Sequence, residues 1–105
     1  MAQFDAFDNP NPAQRGGFPY LVVMQSDQFA HYSTRFVMPL ARAPRPPSRA
    51  PRRLSQVIDI GGEKLYPAAH LCGALSRKLL LRPVASLRVQ SDVLRDALDA
   101  VVSGI

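Results

Sequence analysis

Few side chains in this 105-residue sequence are spaced for chemistry. The densest charge is a stretch from 42 to 53, where Arg42, Arg45, Arg49, Arg52 and Arg53 are interleaved with four prolines. Cations at that density seek an acidic protein segment or a nucleic acid; the alternative is a solubilising linker. Ser26-Asp27 sets a hydroxyl beside a carboxylate, yet nothing in the sequence completes a catalytic triad. Asp92, Asp96 and Asp99 recur at helical spacing and read as a solvated helix face, with no partner base to make an acid–base pair. His31 and His70 read as ordinary polar residues. Cys72 is the sole cysteine, which excludes an intrachain disulfide and a zinc cluster built on thiolates. No cofactor, metal site or enzymatic centre is expected.

Composition narrows the class. Apolar residues make up 47% of the chain, enough for a packed core, and charged residues 20%. Ten prolines argue for many turns and against a helical bundle. The net charge is +5, but setting the five arginines of 42–53 aside leaves the remaining charges balanced. The basic character therefore belongs to a segment and not to the whole surface. No apolar run approaches the roughly 20 residues of a membrane span, and the acidic start with Asp5 and Asp8 does not resemble a secretory leader. A soluble, cytoplasmic single domain over 1–105 is expected, with the Arg/Pro stretch mobile.

The elements that must position these residues follow from pattern. Gln3–Phe7 reads as a short strand with two aromatics, and Asp8–Phe18 as a loop punctuated by Pro10, Pro12, Gly16 and Gly17. Tyr20–Gln25 is a continuous apolar, β-branched run that predicts a buried strand. Arg35–Ala41 predicts a second, with Pro39 at an edge, a bulge or a strand end. Gln56–Ile60, Gly61-Gly62 and Glu63–Tyr66 predict a hairpin. Leu71–Leu81 is ambiguous, since Leu71, Leu75 and Leu79 have helical spacing but Gly73 interrupts. Val84-Ala85 predicts a last short strand. Val89, Val93, Ala97 and Val101, with Leu94, Leu98 and Val102 beside them, predict a C-terminal helix with a broad apolar stripe. Ser86 or Ser91 is expected to cap it. The aromatics Phe4, Phe7, Tyr20, Phe29 and Phe36 are expected in the core and not on a base-stacking surface. Many short strands and one terminal helix imply a mainly β barrel or sandwich.

Several segments together resemble the CcdB family of gyrase-poisoning toxins. They are Gln3-Phe4-Asp5 with Phe7; Leu21-Val22-Val23 leading to Gln25-Ser26-Asp27; Arg35-Phe36-Val37-Met38-Pro39-Leu40; and Val57-Ile58-Asp59-Ile60 with Gly62-Glu63 and Tyr66. Arg82-Pro83-Val84-Ala85-Ser86-Leu87 and the closing Gly104-Ile105 complete the set. The resemblance implies an SH3-like antiparallel barrel with a C-terminal α-helix, assembled as a homodimer. It implies a toxin of a toxin–antitoxin module that binds the DNA gyrase A subunit and traps the enzyme on cleaved DNA. A cognate acidic antitoxin would wrap and remove it, and DNA would be met only through that complex.

Carried over by position, the gyrase-binding residues would be Ser103, Gly104, Ile105, Asp99, Gln3, Phe4 and Ser26. Arg42, Arg45, Arg49, Arg52 and Arg53 would serve antitoxin or nucleic-acid contact. Ser103 departs from the resemblance, which implies an aromatic at that place. Two alternatives stand beside this reading. A non-toxic homologue would keep dimerisation and antitoxin binding alone. A MazF/Kid-like endoribonuclease on the same barrel would have to use His31, Arg35 and the basic loop, with Asp27 the nearest acid, for acid–base and phosphate chemistry.

Overall fold

A computed structural model describes residues 2–42 and 56–103. Seven strands precede one helix: β1 Asp5–Asp8, β2 Tyr20–Val23, β3 Thr34–Ala41, β4 Ile58–Ile60, β5 Glu63–Pro67, β6 Gly73–Ser76, β7 Pro83–Ser86 and α1 Ser91–Ser103. Six of the strands follow one antiparallel path, β4-β5-β3-β2-β1-β7, and β6 pairs with β3 beside it. The path curls into a nearly closed barrel against which α1 packs. The expected SH3-like antiparallel barrel with a C-terminal helix is what the chain forms.

The buried runs are explained by a sheet covered on both faces. Ala6, Val22, Met38 and Leu40 join Phe4, Leu65, Leu87, Leu94 and Ala97 in the main core beneath the helix. The alternate residues Phe7, Leu21, Val23 and Val37 form a second core closed by Leu80. Successive strand residues point to opposite faces, so a strand buried on both reads as an uninterrupted apolar run. Two of the aromatics expected in the core are not there: Phe29 is 44% and Phe36 37% exposed.

Pro39 sits inside β3, opposite Leu21. The carbonyl of Phe36 accepts from Met24 just past β2, and that of Pro39 accepts from Ala68 on the opposite side. By the two-residue alternation, the missing N–H of Pro39 faces that second side. There β6 has ended its pairing at Val37 and β5 begins at Leu40, so no ladder bond is lost. The Gly61-Gly62 turn has φ +57° and +86°, the left-handed pair that a two-residue hairpin requires. The Asp59 carboxylate accepts from the Gly62 N–H at 3.0 Å and fixes the turn.

The ambiguous stretch resolves into a 3₁₀ turn at Ala69–Leu71, strand β6, and a second 3₁₀ turn at Arg77–Leu79. Pairing of Gly73–Ser76 with Val37–Thr34 of β3 overrides the helical spacing of the leucines. The helix also departs from expectation at both ends. Ser86 lies in β7 and Ser91 is already helical, so neither caps α1, which continues from a 3₁₀ turn at Arg88–Gln90. Its buried face is narrower than the sequence stripe. Leu94 and Ala97 are fully buried, whereas Val89, Val101 and Val102 are exposed, Val89 at 98%.

Gln90 fastens that junction to the barrel. Its amide accepts from the Asp59 N–H at 2.8 Å and donates to the Asp59 carbonyl at 2.9 Å. This pairing imitates a neighbouring strand on the outer edge of β4, the kind of edge that otherwise invites aggregation. Two neutral hydrogen bonds contribute about 1–2 kcal/mol together. Gln90→Ala is therefore expected to lower the urea midpoint by that amount of stability and to speed exchange of the Asp59 amide.

Burial pushes the Cys72 thiol up from 9.0 to about 11. The folded state thus favours the protonated thiol. The stability it contributes is fully present below pH 9 and is lost as pH rises through about 11. Alkylation by iodoacetamide is expected to stay slow at about pH 8–9, where an unperturbed thiol reacts, and to accelerate only toward pH 11.

Candidate functional site

The N-terminal turn is the joint of the candidate surface. The Gln3 N–H donates to the Asp27 carboxylate at 2.8 Å, and the Gln3 amide donates to the Met24 carbonyl at 2.9 Å. Ser26 caps the 3₁₀ turn Asp27–Phe29, its hydroxyl accepting from the Gln28 N–H. Gln3 and Ser26, distant in sequence, are thereby brought onto one patch. Asp27 holds them together.

Phe4 follows at φ +69°, an unusual conformation for a bulky residue that costs on the order of 1–3 kcal/mol. The twist splits its backbone between two neighbours: its N–H donates to Val23, and its carbonyl accepts from Leu87, each at 2.7 Å. The ring, expected in the core from its residue type and at the contact surface from the resemblance, is 2% exposed and lies in the core, so it supports the surface from beneath. The Arg95 guanidinium covers it, 5.0 Å from the ring centroid. Arg95 interrupts the acidic strip of α1, and no local pattern announces this partnership.

The last turn of α1 runs clear of the core. Val101 and Val102 are exposed, the latter at 76%, and Asp99 is exposed beside them. The Ser103 hydroxyl donates to the Asp99 carbonyl one turn back, at 2.7 Å, so it turns along the helix. Arg95, Asp96, Leu98, Asp99 and Val102 bound a shallow hollow along this flank. Ser103 lies eight residue steps beyond Arg95, about 12 Å of helix rise. The tip therefore stands well away from the Arg95–Phe4 contact. Gly104 and Ile105 lie outside the described residues.

Of the arginine cluster, Arg42 is described. Its N–H donates to Gly17 at 2.7 Å, and its guanidinium pairs with Glu63. That hydrogen bond to Glu63 raises the arginine's pKa further. Arg42 is thus anchored on the barrel and does not belong to a loose segment. Arg45, Arg49, Arg52 and Arg53 lie outside the described residues, as does the expectation of a mobile stretch there.

Three of the groups an endoribonuclease would use, Arg35, Asp27 and His31, have other partners. Arg35 is 4% exposed, and its guanidinium donates to the carbonyls of Ala30, Tyr32 and Thr34 at 2.6–2.8 Å. It staples the loop before β3 and is turned away from any phosphate in solvent. Asp27 is engaged by Gln3, and His31 leans on Tyr32 with ring centroids 4.4 Å apart. Among the described residues, no three His, Cys, Asp or Glu side chains group as a metal site. No helix there is long and apolar enough to cross a membrane.

Comparison with protein families completes the picture. A model described as CcdB protein matches residues 3–104, nearly the whole chain. The chain belongs to the CcdB family. It is accordingly a toxin of a toxin–antitoxin module, with the barrel and terminal helix described above. A search of curated proteins gives no significant match.

Proposed function

We propose that this CcdB-family chain poisons DNA gyrase, binding the gyrase A subunit through the C-terminal tip of α1 and trapping the enzyme on cleaved DNA. The observation that carries the reading is the projecting end of the helix. Beyond Ala97 no residue of α1 is fully buried, and Val101 and Val102 present apolar surface that the core does not use. Ser103, Gly104 and Ile105 extend that tip, with Asp99 on its flank. Gln3 and Ser26 offer a second patch, and Phe4 acts beneath it as a support. A homodimer would present two such tips to a two-fold target. A cognate acidic antitoxin would reverse the binding, with the arginines of 42–53 contributing long-range attraction. DNA is met only through the antitoxin complex, and the protein acts in the cytoplasm without catalysis.

One observation favours a second reading. The hydroxyl of Ser103 turns back onto the Asp99 carbonyl, where the family resemblance implies an outward aromatic anchor. A non-toxic homologue that retains dimerisation and antitoxin binding would look like this. Induction in cells separates the two. Growth arrest with gyrase-linked DNA breaks, relieved by the acidic antitoxin, supports poisoning. Normal growth at verified expression supports the second reading.

A further inference from the structure

Two adjoining hollows open beside the second core. The larger, of about 560 Å³, has an aliphatic wall of Leu79, Leu81 and Val84. Arg15, Lys78 and Arg82 also line it, against Asp8 as the single acid, so positive charge is in excess there. The smaller, of about 330 Å³, shares Pro10 and Leu79 with the first and runs on to Leu21 and Leu75. No ionisable side chain lines it. Hollows of roughly 300–1,000 Å³ with an apolar lining and a few placed polar groups are the usual setting of small-ligand sites.

Both walls are held in place. Leu80 is buried in the second core, and its N–H donates to the Arg77 carbonyl at 3.1 Å. Leu79 and Leu81 on either side of it are left 49% and 85% exposed. Across the hollow, the Arg15 Nε donates to the Asn9 carbonyl at 2.6 Å. Asn9 is itself buried and fixed by Phe18, Asn11 and Pro19. The terminal amino groups of Arg15 have no partner among the described residues, and neither Lys78 nor Arg82 is paired with a carboxylate there. A guanidinium held by its Nε keeps a pre-oriented fork for a carboxylate or a phosphate. In the smaller hollow the amides of Asn9 and Asn11 are engaged in the loop's own hydrogen bonds, which leaves the leucines as its free surface.

We propose that the paired hollows bind a single-chain anionic amphiphile, an aliphatic chain that ends in a carboxylate or a phosphate. The head would sit among Arg15, Lys78 and Arg82, and the tail would cross Pro10 and Leu79 toward Leu21 and Leu75. The distribution of charge carries this reading, because the cations gather in one hollow and the other has none. A peptide with acids along its length would call for cations in both. A nucleic acid would want stacking faces, yet Phe7, the one aromatic among the lining residues, is 1% exposed. A second copy would bring its own three cations against these. The site is independent of the gyrase reading.

The test titrates the full chain, isotope-labelled, with hexanoate, octanoate, decanoate and decyl phosphate, each below the concentration at which it forms micelles. The result expected is saturable shifts at residues 8–15, 21, 75 and 78–84, with affinity rising about two- to fourfold per added methylene. Tighter binding of decyl phosphate than of decanoate would support a phosphate head, and the reverse a carboxylate. Lys78→Gln with Arg82→Gln should weaken decanoate about tenfold or more and keep the gain per methylene. Leu79→Ser should reduce that gain. These side chains are exposed, so the variants should melt as the parent does. Equal binding of decyltrimethylammonium, affinity independent of chain length, undiminished binding by the variants, shifts on another face, or no binding would each overturn the proposal. So would binding to phosphatidylglycerol vesicles without a response to free decanoate, which would give the surface to a bilayer. Displacement of decanoate by a lower concentration of a glutamate–valine peptide would likewise overturn it and give the hollows to a protein segment.

Discussion

Removal of Ser103–Ile105 is expected to reduce gyrase trapping by about 30- to 1,000-fold while leaving the fold in place. Anchoring residues at an interface are worth about 2–4 kcal/mol, which is that range of affinity. The same residues do little for stability. The helix is held by Leu94 and Ala97, and Ser103 is exposed. Losing its hydroxyl bond to Asp99 and the end of the last turn should cost about 1 kcal/mol. Ser103→Trp is expected to act in the opposite direction and strengthen trapping. It sets an aromatic anchor at the tip without touching the core. Melting and dimerisation should be close to those of the parent in both variants, so a change in gyrase trapping reads the tip alone.

Phe4→Ala is expected to lower stability by about 3–5 kcal/mol, the range for emptying a buried aromatic site. That is a large part of the roughly 5–15 kcal/mol that holds a domain together. Three effects coincide at this residue. The ring fills the main core, it carries the Arg95 guanidinium, and it holds a left-handed backbone that ties Val23 to Leu87. Alanine keeps the backbone strain and loses the packing that offsets it. Denaturant unfolding followed by circular dichroism measures the loss. Arg95→Ala, which removes only the exposed cation, should cost about 1 kcal/mol. The two values together separate the core role of Phe4 from its contact with the helix.

The strands were legible where one physical rule dominated. Tyr20–Val23 and Thr34–Ala41 announced themselves as apolar runs, because both faces of β2 and β3 are covered. Gly61-Gly62 announced its hairpin through the φ values that other residues resist. Legibility failed where tertiary contacts chose between equal local options. Leu71, Leu75 and Leu79 keep helical spacing, yet pairing of β6 with β3 makes the middle of that stretch a strand. The helix stripe was overread for a related reason. Periodicity says which residues share a face but not how far the barrel extends beneath them, so Val101 and Val102 fall past its edge. At the candidate site, Gln3 and Ser26 were found through resemblance. What joins them, the Asp27 carboxylate on the Gln3 N–H, depends on a contact across 24 residues that no local pattern encodes. Phe4 was legible as a core aromatic, but the cover that Arg95 lays over it joins distant parts of the chain, and no local pattern encodes it.

The account turns on whether the tip of α1 engages gyrase. The direct measurement is the yield of gyrase-linked, linearised plasmid when purified gyrase, supercoiled DNA and ATP are incubated with the purified chain and stopped with detergent and protease. The expected result is linear DNA that rises with toxin concentration, rises further with Ser103→Trp, and stays at background when Ser103–Ile105 are removed. Background levels with both the parent and Ser103→Trp, in protein shown to be folded, would contradict gyrase poisoning. Undiminished cleavage by the truncated chain would contradict the assignment of that activity to the helix tip.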